Sequence, residues 1–239
     1  MSNQQDQIIA ITVAGGVGRR MASETPKQFL PLDGKPLLLH SLEVFDRHPA
    51  ITAQCVVLDP AYHAMVRSEA PWTSLSKPLI LAEPGAERAD SVRSALRAVK
   101  GQAAIVLIHD AARPLLIAAM IDATLAHARQ GRGAIIARPV AETVKRADGE
   151  QRIAETVDRR DLWIAETPQT FPFDLIWRAH ESAVAQGLVL TDDAQAVEAL
   201  GEPVALCPAE SPNPKITVAQ DLGVVETLLR GRGEGAVAR

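Results

Sequence analysis

Short apolar runs alternate with longer amphipathic segments along most of this chain. Apolar runs bounded by Gly, Pro or polar residues are typical of buried strands, and amphipathic segments between them predict helices. Strands separated by crossover helices indicate a mostly parallel sheet in an α/β domain. The predicted strands are residues 8–14, 55–58, 79–81, 104–108, 134–137 and 203–207. The predicted helices are residues 36–47, 60–69, 90 or 91 to 100, 117–130, 173–186, 192–200 and 218–230.

Residues 139–160 depart from this rhythm because they are polar and charged, with short alternating stretches on both sides of Asp148-Gly149. This pattern predicts a β-hairpin that protrudes as an arm. Because a lone hairpin is marginally stable in water, we expect it to pack either on a second subunit or back on its own domain. Residues 1–230 are predicted to form a single domain, with a disordered tail at 231–239.

A glycine turn directly after the first predicted strand is the most informative feature of the sequence. Gly15, Gly16 and Gly18 allow the backbone to approach a ligand closely, and Arg20 and Lys27 follow within a few residues. Backbone N–H groups and cations so close together predict a polyphosphate site, although a plain β-to-α turn has the same glycines. The turn lacks the third glycine of a dinucleotide fingerprint and the Gly-Lys-Ser/Thr of a P-loop.

Three further segments carry candidate chemistry at the same predicted edge of the sheet. Asp110 can hold Mg²⁺ or a sugar hydroxyl, or simply pair with Arg113 across its turn. Ser91 can contact the edge of a base or serve as a helix cap. Lys215, which follows Pro212 and Pro214 beside a short predicted strand, is either a surface lysine or a second cation that faces Lys27. His109 is interpreted as a packed side chain.

Composition narrows the function further. The chain has 239 residues, of which 47% are apolar, and 25 Lys plus Arg stand against 29 Asp plus Glu. The net charge of −4 provides no general attraction for nucleic acid, so the basic loops favour small anionic ligands. Cys55 and Cys207 lack metal-site spacing and predict buried thiols in a reducing compartment, the cytoplasm. No apolar run is long enough for a membrane span, so we expect a soluble protein without a membrane partner.

Taken together, the motifs resemble those of the 2-C-methyl-D-erythritol 4-phosphate cytidylyltransferase family over about residues 8–230. The resemblance implies a Rossmann-like, mostly parallel twisted sheet of the nucleotidyltransferase type. It also implies transfer of CMP from CTP to methylerythritol phosphate, a Mg²⁺ requirement and a homodimer. The motifs are residues 14–21, Pro26-Lys27-Gln28, residues 87–92, residues 109–114, residues 156–159, Thr167-Pro168-Gln169, residues 191–194 and Lys215-Ile216-Thr217.

The same resemblance implies roles for individual residues, with the arm entering the neighbouring subunit's site. A ribitol 5-phosphate cytidylyltransferase and a non-catalytic nucleotide-binding regulator are the alternatives, and residues 88–91 with Ala112 look less like the ribitol enzymes. The implied catalytic cations are Arg20, Lys27 and Lys215, and the implied metal ligand is Asp110. The implied CTP contacts are Ala14, Gly15, Gly16, Gly18, Gly85, Ser91, Asp110 and Ala111. The implied acceptor contacts are Asp110, Arg113, Thr143, Arg159, Thr191 and Lys215.

Overall fold

A computed structural model describes residues 7–16 and 25–237 of the chain, with side chains up to residue 232. Its strands and helices follow the predicted alternation closely. The strands are β1 (Ile8–Val13), β2 (Pro31–Leu32), β3 (Lys35–Pro36), β4 (Ala53–Val57), β5 (Leu79–Ala82), β6 (Ile105–Asp110), β7 (Gly133–Pro139), β8 (Val144–Ala147), β9 (Ile153–Val157), β10 (Trp163–Pro172) and β11 (Val204–Pro208). The helices are α1 (Leu37–Arg47), α2 (His63–Ser68), α3 (Arg88–Ala98), α4 (Ala118–Ala128), α5 (Phe173–Ala185), α6 (Asp193–Glu198) and α7 (Gln220–Val237).

The core is a Rossmann-like seven-stranded sheet in the order β11-β7-β10-β6-β1-β4-β5. Every neighbouring pair is parallel except the two pairs that involve β10, which is antiparallel to both β6 and β7. Successive side chains of a strand point to opposite faces, and β1 shows this directly. Ile9 and Ile11 pack with α3, α5 and α6 on one face, whereas Ile8 and Ala10 pack with α1 and α4 on the other.

The order of the strands fixes where a ligand can bind. The chain runs from β1 outward through β4 to β5 and then returns to β6 on the opposite side of β1. The carboxyl ends of β1 and β6 therefore border the switch point of the sheet, which is the usual ligand crevice in open α/β folds.

The predicted arm is present as a separate two-stranded sheet. β8 and β9 pair antiparallel on either side of the turn at Asp148, and nearly all of their residues are exposed. The side chains of the arm make local pairs, such as Arg146 with Glu155. The arm thus protrudes from this chain instead of folding back into its core.

Strand β10 is the main element that the sequence pattern does not predict. It lies in the centre of the sheet although it contains Pro168 and several polar residues, and its register shifts between Ala165 and Gln169. Proline and polar side chains normally argue against a central strand. Here the irregular register accommodates Pro168, and the polar side chains are buried against partners from distant parts of the chain.

Three predicted boundaries also differ from the structure. Helix α3 begins at Arg88, two residues before the earlier of its predicted starts, because Glu87 and Asp90 form a reciprocal capping box there. The predicted helix over 60–69 is a 3-10 turn capped by Asp59 followed by the short helix α2. Helix α7 runs to Val237, past the predicted helix end at residue 230, and Arg232 anchors it through bonds to Leu115 O at 2.6 Å and Pro212 O at 2.7 Å.

Candidate active site

A cavity of about 430 Å³ lies at the carboxyl ends of β1, β5 and β6. The loops that follow these three strands meet there, and the segments around Lys27 and Lys215 close one side. Its lining includes the predicted residues Ala14, Gly15, Gly16, Lys27, Gly85, Ser91, Asp110, Ala111 and Lys215. The predicted residues Gly18 and Arg20 lie outside the part of the chain that the structure describes.

Close backbone packing explains the glycine after β1. A Cβ atom at Gly15 would lie 2.4 Å from Cβ of Pro84, so any larger residue would push the loops after β1 and β5 apart. Ala14 N–H donates to Val57 O at 2.9 Å and continues the ladder of the sheet into the loop. The first loop is therefore held close to the second, where backbone N–H groups can approach a ligand.

The loop after β5 is shaped by a second glycine and by Ser91. A Cβ atom at Gly85 would lie 2.1 Å from Cβ of Asp90, so this position also has no room for a side chain. Ser91 Oγ accepts a hydrogen bond from Gly85 N–H at 3.1 Å and donates to Glu87 O at 3.2 Å. Ser91 is thus not the N-cap of α3, which is Glu87, but the residue that folds the loop back on the helix.

Asp110 lies at the end of β6 and is surrounded by cations. Its Oδ1 accepts from Arg88 Nε at 3.0 Å, and its Oδ2 accepts from Lys215 Nζ at 2.7 Å. The predicted partner Arg113 is farther away, with Nε at 3.9 Å from Oδ2. Burial alone would raise the pKa of Asp110, but Arg88 and Lys215 hold that pKa well below its ordinary value. The carboxylate is therefore ionised at neutral pH.

Lys27 and Lys215 come together on one side of the cavity. Lys27 begins a short 3-10 turn, and its Nζ donates to the carbonyl oxygen of Ile216, the residue after Lys215. Residues 215–217 do not form the predicted strand. They are linked to the loop after β6 by the hydrogen bond from Ile216 N–H to Ala112 O at 2.9 Å. Two cations from distant segments nevertheless line the same cavity.

His109 is a packed side chain, as interpreted from the sequence. It is fully buried, and burial lowers its pKa to about 4, so the ring is neutral at physiological pH. Its Nε2 lies 3.0 Å from Arg113 O and its Nδ1 lies 2.9 Å from Thr167 Oγ1, which in turn accepts from Asp110 N–H. The ring stabilises the turn that carries Asp110 and Arg113.

Comparison with known proteins shows the family to which this chain belongs. The sequence model of the family described as 2-C-methyl-D-erythritol 4-phosphate cytidylyltransferase, IspD, matches residues 8–231. The chain belongs to this family. The cytidylyltransferase of Haemophilus influenzae (strain PittGG) is 42% identical over 224 residues, which cover 93% of this chain and 96% of that protein. The corresponding protein of Vibrio vulnificus is 40% identical over 236 residues, covering 96% and 97% of the two chains. The crystal structure of the Thermus thermophilus enzyme matches with a TM-score of 0.75 and 33% identity, covering 92% of this chain and 98% of that one.

Not all of the residues implied by the cytidylyltransferase motifs line this cavity. Arg113 is largely buried beside it, with Nη1 donating to Asn213 O at 2.7 Å. Thr191 is exposed and bonds Gln195 at the start of α6. Thr143 and Arg159 are exposed at the base of the arm, and Arg159 donates to Ala141 O. A single cytidylyltransferase chain therefore does not bring its own arm residues into the cavity.

The side chains of the described residues limit how a metal ion could be coordinated. Among the described residues, no group of three or more His, Cys, Asp or Glu side chains is arranged to hold one. Mg²⁺ commonly takes one or two carboxylates and completes its shell with substrate phosphates and water. Asp110 fits that role as a single ligand, since each carboxylate oxygen has a second lone pair beside its bond to Arg88 or Lys215.

Sequence reasoning did not assign a role to Arg88, which lines the cavity next to Asp110. Its Nη1 lies 2.9 Å from Asp193 Oδ2, and Asp193 is wholly buried at the start of α6. The available signal was the arginine inside the motif at residues 87–92. A sequence does not reveal that this side chain reaches two carboxylates on different elements.

Proposed function

We propose that this chain transfers CMP from CTP to 2-C-methyl-D-erythritol 4-phosphate in the non-mevalonate isoprenoid pathway. An oxygen of the acceptor phosphate attacks the α-phosphorus, the bond to the β-phosphate breaks, and pyrophosphate leaves with that electron pair. The products are 4-diphosphocytidyl-2-C-methyl-D-erythritol and pyrophosphate. The observation that carries the proposal is that two glycine loops, two lysines and an ionised aspartate line one cavity.

The nucleotide lies along the loops after β1 and β5 in this proposal. Backbone N–H groups of Gly15 and Gly16 bind the phosphates beside Ala14, and the sequence motif assigns Gly18 and Arg20 to the same site. Gly85 and Ser91 contact the cytosine, and Asp110 with Ala111 contacts the ribose. Support comes from Gly15 and Gly16, which line the cavity, and from the tight packing of Gly15 on Pro84, which leaves no room for a side chain there.

Lys27 and Lys215 stabilise the charge that develops on the α-phosphoryl group. No protein nucleophile is required, because the acceptor phosphate is already ionised and catalysis rests on positioning and electrostatics. Lys215 can retain Asp110 and still contact a phosphate, since an ammonium group has three donors. Removal of either lysine is expected to lower kcat by about 10²- to 10³-fold.

Mg²⁺ would be held by Asp110 together with the nucleotide phosphates, and it would neutralise part of their charge. Arg113, Thr191 and Lys215 bind the acceptor on the other side of Asp110. The burial of Arg113 supports this role, because a guanidinium that is already ordered loses little entropy when it binds a phosphate.

The functional unit is a homodimer in which each arm completes the partner's site. The exposure of Thr143 and Arg159, far along the chain from the cavity-lining loops, supports this assembly. Mixing Lys27→Ala and Arg159→Ala chains tests it, because a mixed dimer contains one site with both residues intact. Recovery of about a quarter of the wild-type rate is expected from random pairing in a two-fold dimer. A mixture as inactive as its components would contradict shared sites.

Both cysteines support a reducing compartment such as the cytoplasm. Cys55 and Cys207 are buried and free, and burial raises the pKa of the Cys55 thiol to about 12. Such thiols are unreactive and form no disulfide framework. None of the described helices is long and apolar enough to cross a membrane.

The decisive experiment is pyrophosphate release from CTP with methylerythritol phosphate, with ribitol 5-phosphate or without an acceptor, each with Mg²⁺ and with EDTA. We expect pyrophosphate release when methylerythritol phosphate is the acceptor but not with ribitol 5-phosphate or without an acceptor, and we expect Lys27→Ala to abolish it. Release only with ribitol 5-phosphate would identify that compound as the acceptor instead. Binding of CTP without any release would indicate a regulator. Activity that survives EDTA would remove Mg²⁺ from the proposal.

A further inference from the structure

Arg88 connects two parts of the site that are far apart in sequence. Its Nε donates to Asp110 Oδ1 at 3.0 Å, and its Nη1 lies 2.9 Å from Asp193 Oδ2. Asp110 ends β6, whereas Asp193 begins α6. Only about a quarter of the Arg88 side chain is exposed, so one guanidinium clamps two elements together beside the cavity.

Both carboxylates that Arg88 contacts are buried and therefore depend on it for charge neutralisation. The side chain of Asp110 is 9% exposed and that of Asp193 is 1% exposed, and a carboxylate in such surroundings needs a cation or protonates. Burial alone would lower the pKa of Arg88, but Asp193 and Asp110 raise that pKa above its ordinary value. Each carboxylate has one further partner, which is Lys215 for Asp110 and His180 for Asp193, where Nε2 and Oδ1 are 3.2 Å apart.

The nucleotide loop does not depend on this guanidinium for its shape. Ser91 folds Gly85 back, and Glu87 and Asp90 cap the helix reciprocally. The side chain of Arg88 takes no part in these hydrogen bonds. It contacts Asp110, the carboxylate that holds Lys215, and Asp193, at the start of the helix that follows Thr191.

We propose that Arg88 is a positioning residue for the polyol phosphate acceptor, although it belongs to the sequence motif of the nucleotide loop. It fixes Asp110 as the anchor of Lys215, and it fixes Asp193 and thereby the turn that carries Thr191. The inference rests on the proposed function, since it requires an acceptor to be bound on this side of the cavity. Loss of the clamp weakens use of the acceptor more than it weakens CTP binding, because Asp110 is only one of several proposed contacts to the nucleotide.

Arg88→Lys tests whether Arg88 supports acceptor binding more than CTP binding. Lysine keeps the charge but has a single ammonium in place of the planar fork, so it cannot hold both carboxylates in the same geometry. The KM for methylerythritol phosphate is expected to rise by at least about 10-fold, as for other misplaced binding groups. The Kd of CTP, measured by calorimetry without acceptor, should change by less than about 3-fold, because the loops after β1 and β5 keep their own bonds and Asp110 is only one of several contacts to the nucleotide.

Asp193→Asn provides a second variant, because Asp193 does not line the cavity. It should reproduce the same split between the acceptor KM and the CTP Kd, and the double variant should be no worse than the more severe single one. Arg97→Lys, at an exposed position on the same helix, is the matched control and should match the wild type in both quantities. Unfolding curves of every variant establish that each is folded.

Two results would overturn the inference. One is a CTP Kd that weakens as much as the acceptor KM in either folded variant, and the other is an acceptor KM that stays at the wild-type value. Silence of the wild-type chain with both methylerythritol phosphate and ribitol 5-phosphate would refute the proposed function separately. The CTP measurement needs no turnover, so the two failures are distinguishable.

Discussion

Protonation of His109 should destabilise the fold at acid pH, and the structure gives the size of the effect. Burial lowers the pKa of this ring from 6.5 to about 4. Nε2 donates to Arg113 O and Nδ1 accepts from the Thr167 hydroxyl, an arrangement that requires the neutral ring. A second proton would remove the acceptor at Nδ1 and place a charge on a fully buried ring.

The sign of this pH dependence is set by whether the folded or the unfolded chain binds more protons. Between about pH 4 and 6.5 the unfolded chain binds a proton at His109 and the folded chain does not, so stability falls as the pH falls through this window. With these two pKa values, the ring contributes a loss of about 2.5 kcal/mol between about pH 7.5 and pH 4.5. That loss is a large fraction of the 5–15 kcal/mol typical of a folded domain.

Urea unfolding followed by circular dichroism at several pH values measures this loss. His109→Gln removes the titration, so its unfolding free energy should fall by about 2.5 kcal/mol less than that of the wild type over the same range. His63→Gln is the control, because His63 also bonds a carbonyl, Leu58 O at 2.8 Å, but is partly exposed at the start of α2. Equal pH dependence in the wild type and in His109→Gln would refute the reasoning.

Three further perturbations test other contacts. Gly85→Ala would bring its Cβ to 2.1 Å from Asp90 and should weaken CTP binding by at least about 10-fold in calorimetry, whereas Gly223→Ala, with no atom nearby, should not. Glu166→Gln should gain stability relative to the wild type as the pH rises above about 4.5, because burial raises the pKa of this carboxylate; a constant difference in urea unfolding would contradict this. Arg232→Ala removes three hydrogen bonds and should cost about 1–3 kcal/mol in urea unfolding, and no loss would show that α7 is held elsewhere.

The parallel part of the sheet was predictable because its strands are short apolar runs bounded by turns. The run at residues 104–108 became β6, for example, because burial on both faces of a parallel sheet leaves an apolar signature. The loops at the carboxyl ends of these strands were predictable for the same reason. Once the strands are parallel, the segments after β1, β5 and β6 must meet at one edge.

Strand β10 was not predictable in this way, since most of its buried residues are polar. Thr167 is buried because it bonds His109 and Asp110 N–H, and Gln169 is buried because its amide oxygen accepts from Asp193 N–H at 3.0 Å. Each partner lies more than 20 residues away in sequence. Apolar periodicity cannot indicate a strand whose side chains are satisfied by such long-range hydrogen bonds.

The same strand determines how the acceptor side of the site is supported. β10 follows directly on the arm, and its residues hold both the Asp110 turn, through Thr167, and the start of α6, through Gln169. Arg88 also joins these two elements, so they are cross-linked twice. The nucleotide loops have separate supports in the contact of Gly15 with Pro84 and in the bonds of Ser91. Because the two sets of contacts share few atoms, substitutions in β10 should change the KM of the acceptor and substitutions in the loops should change the affinity for CTP.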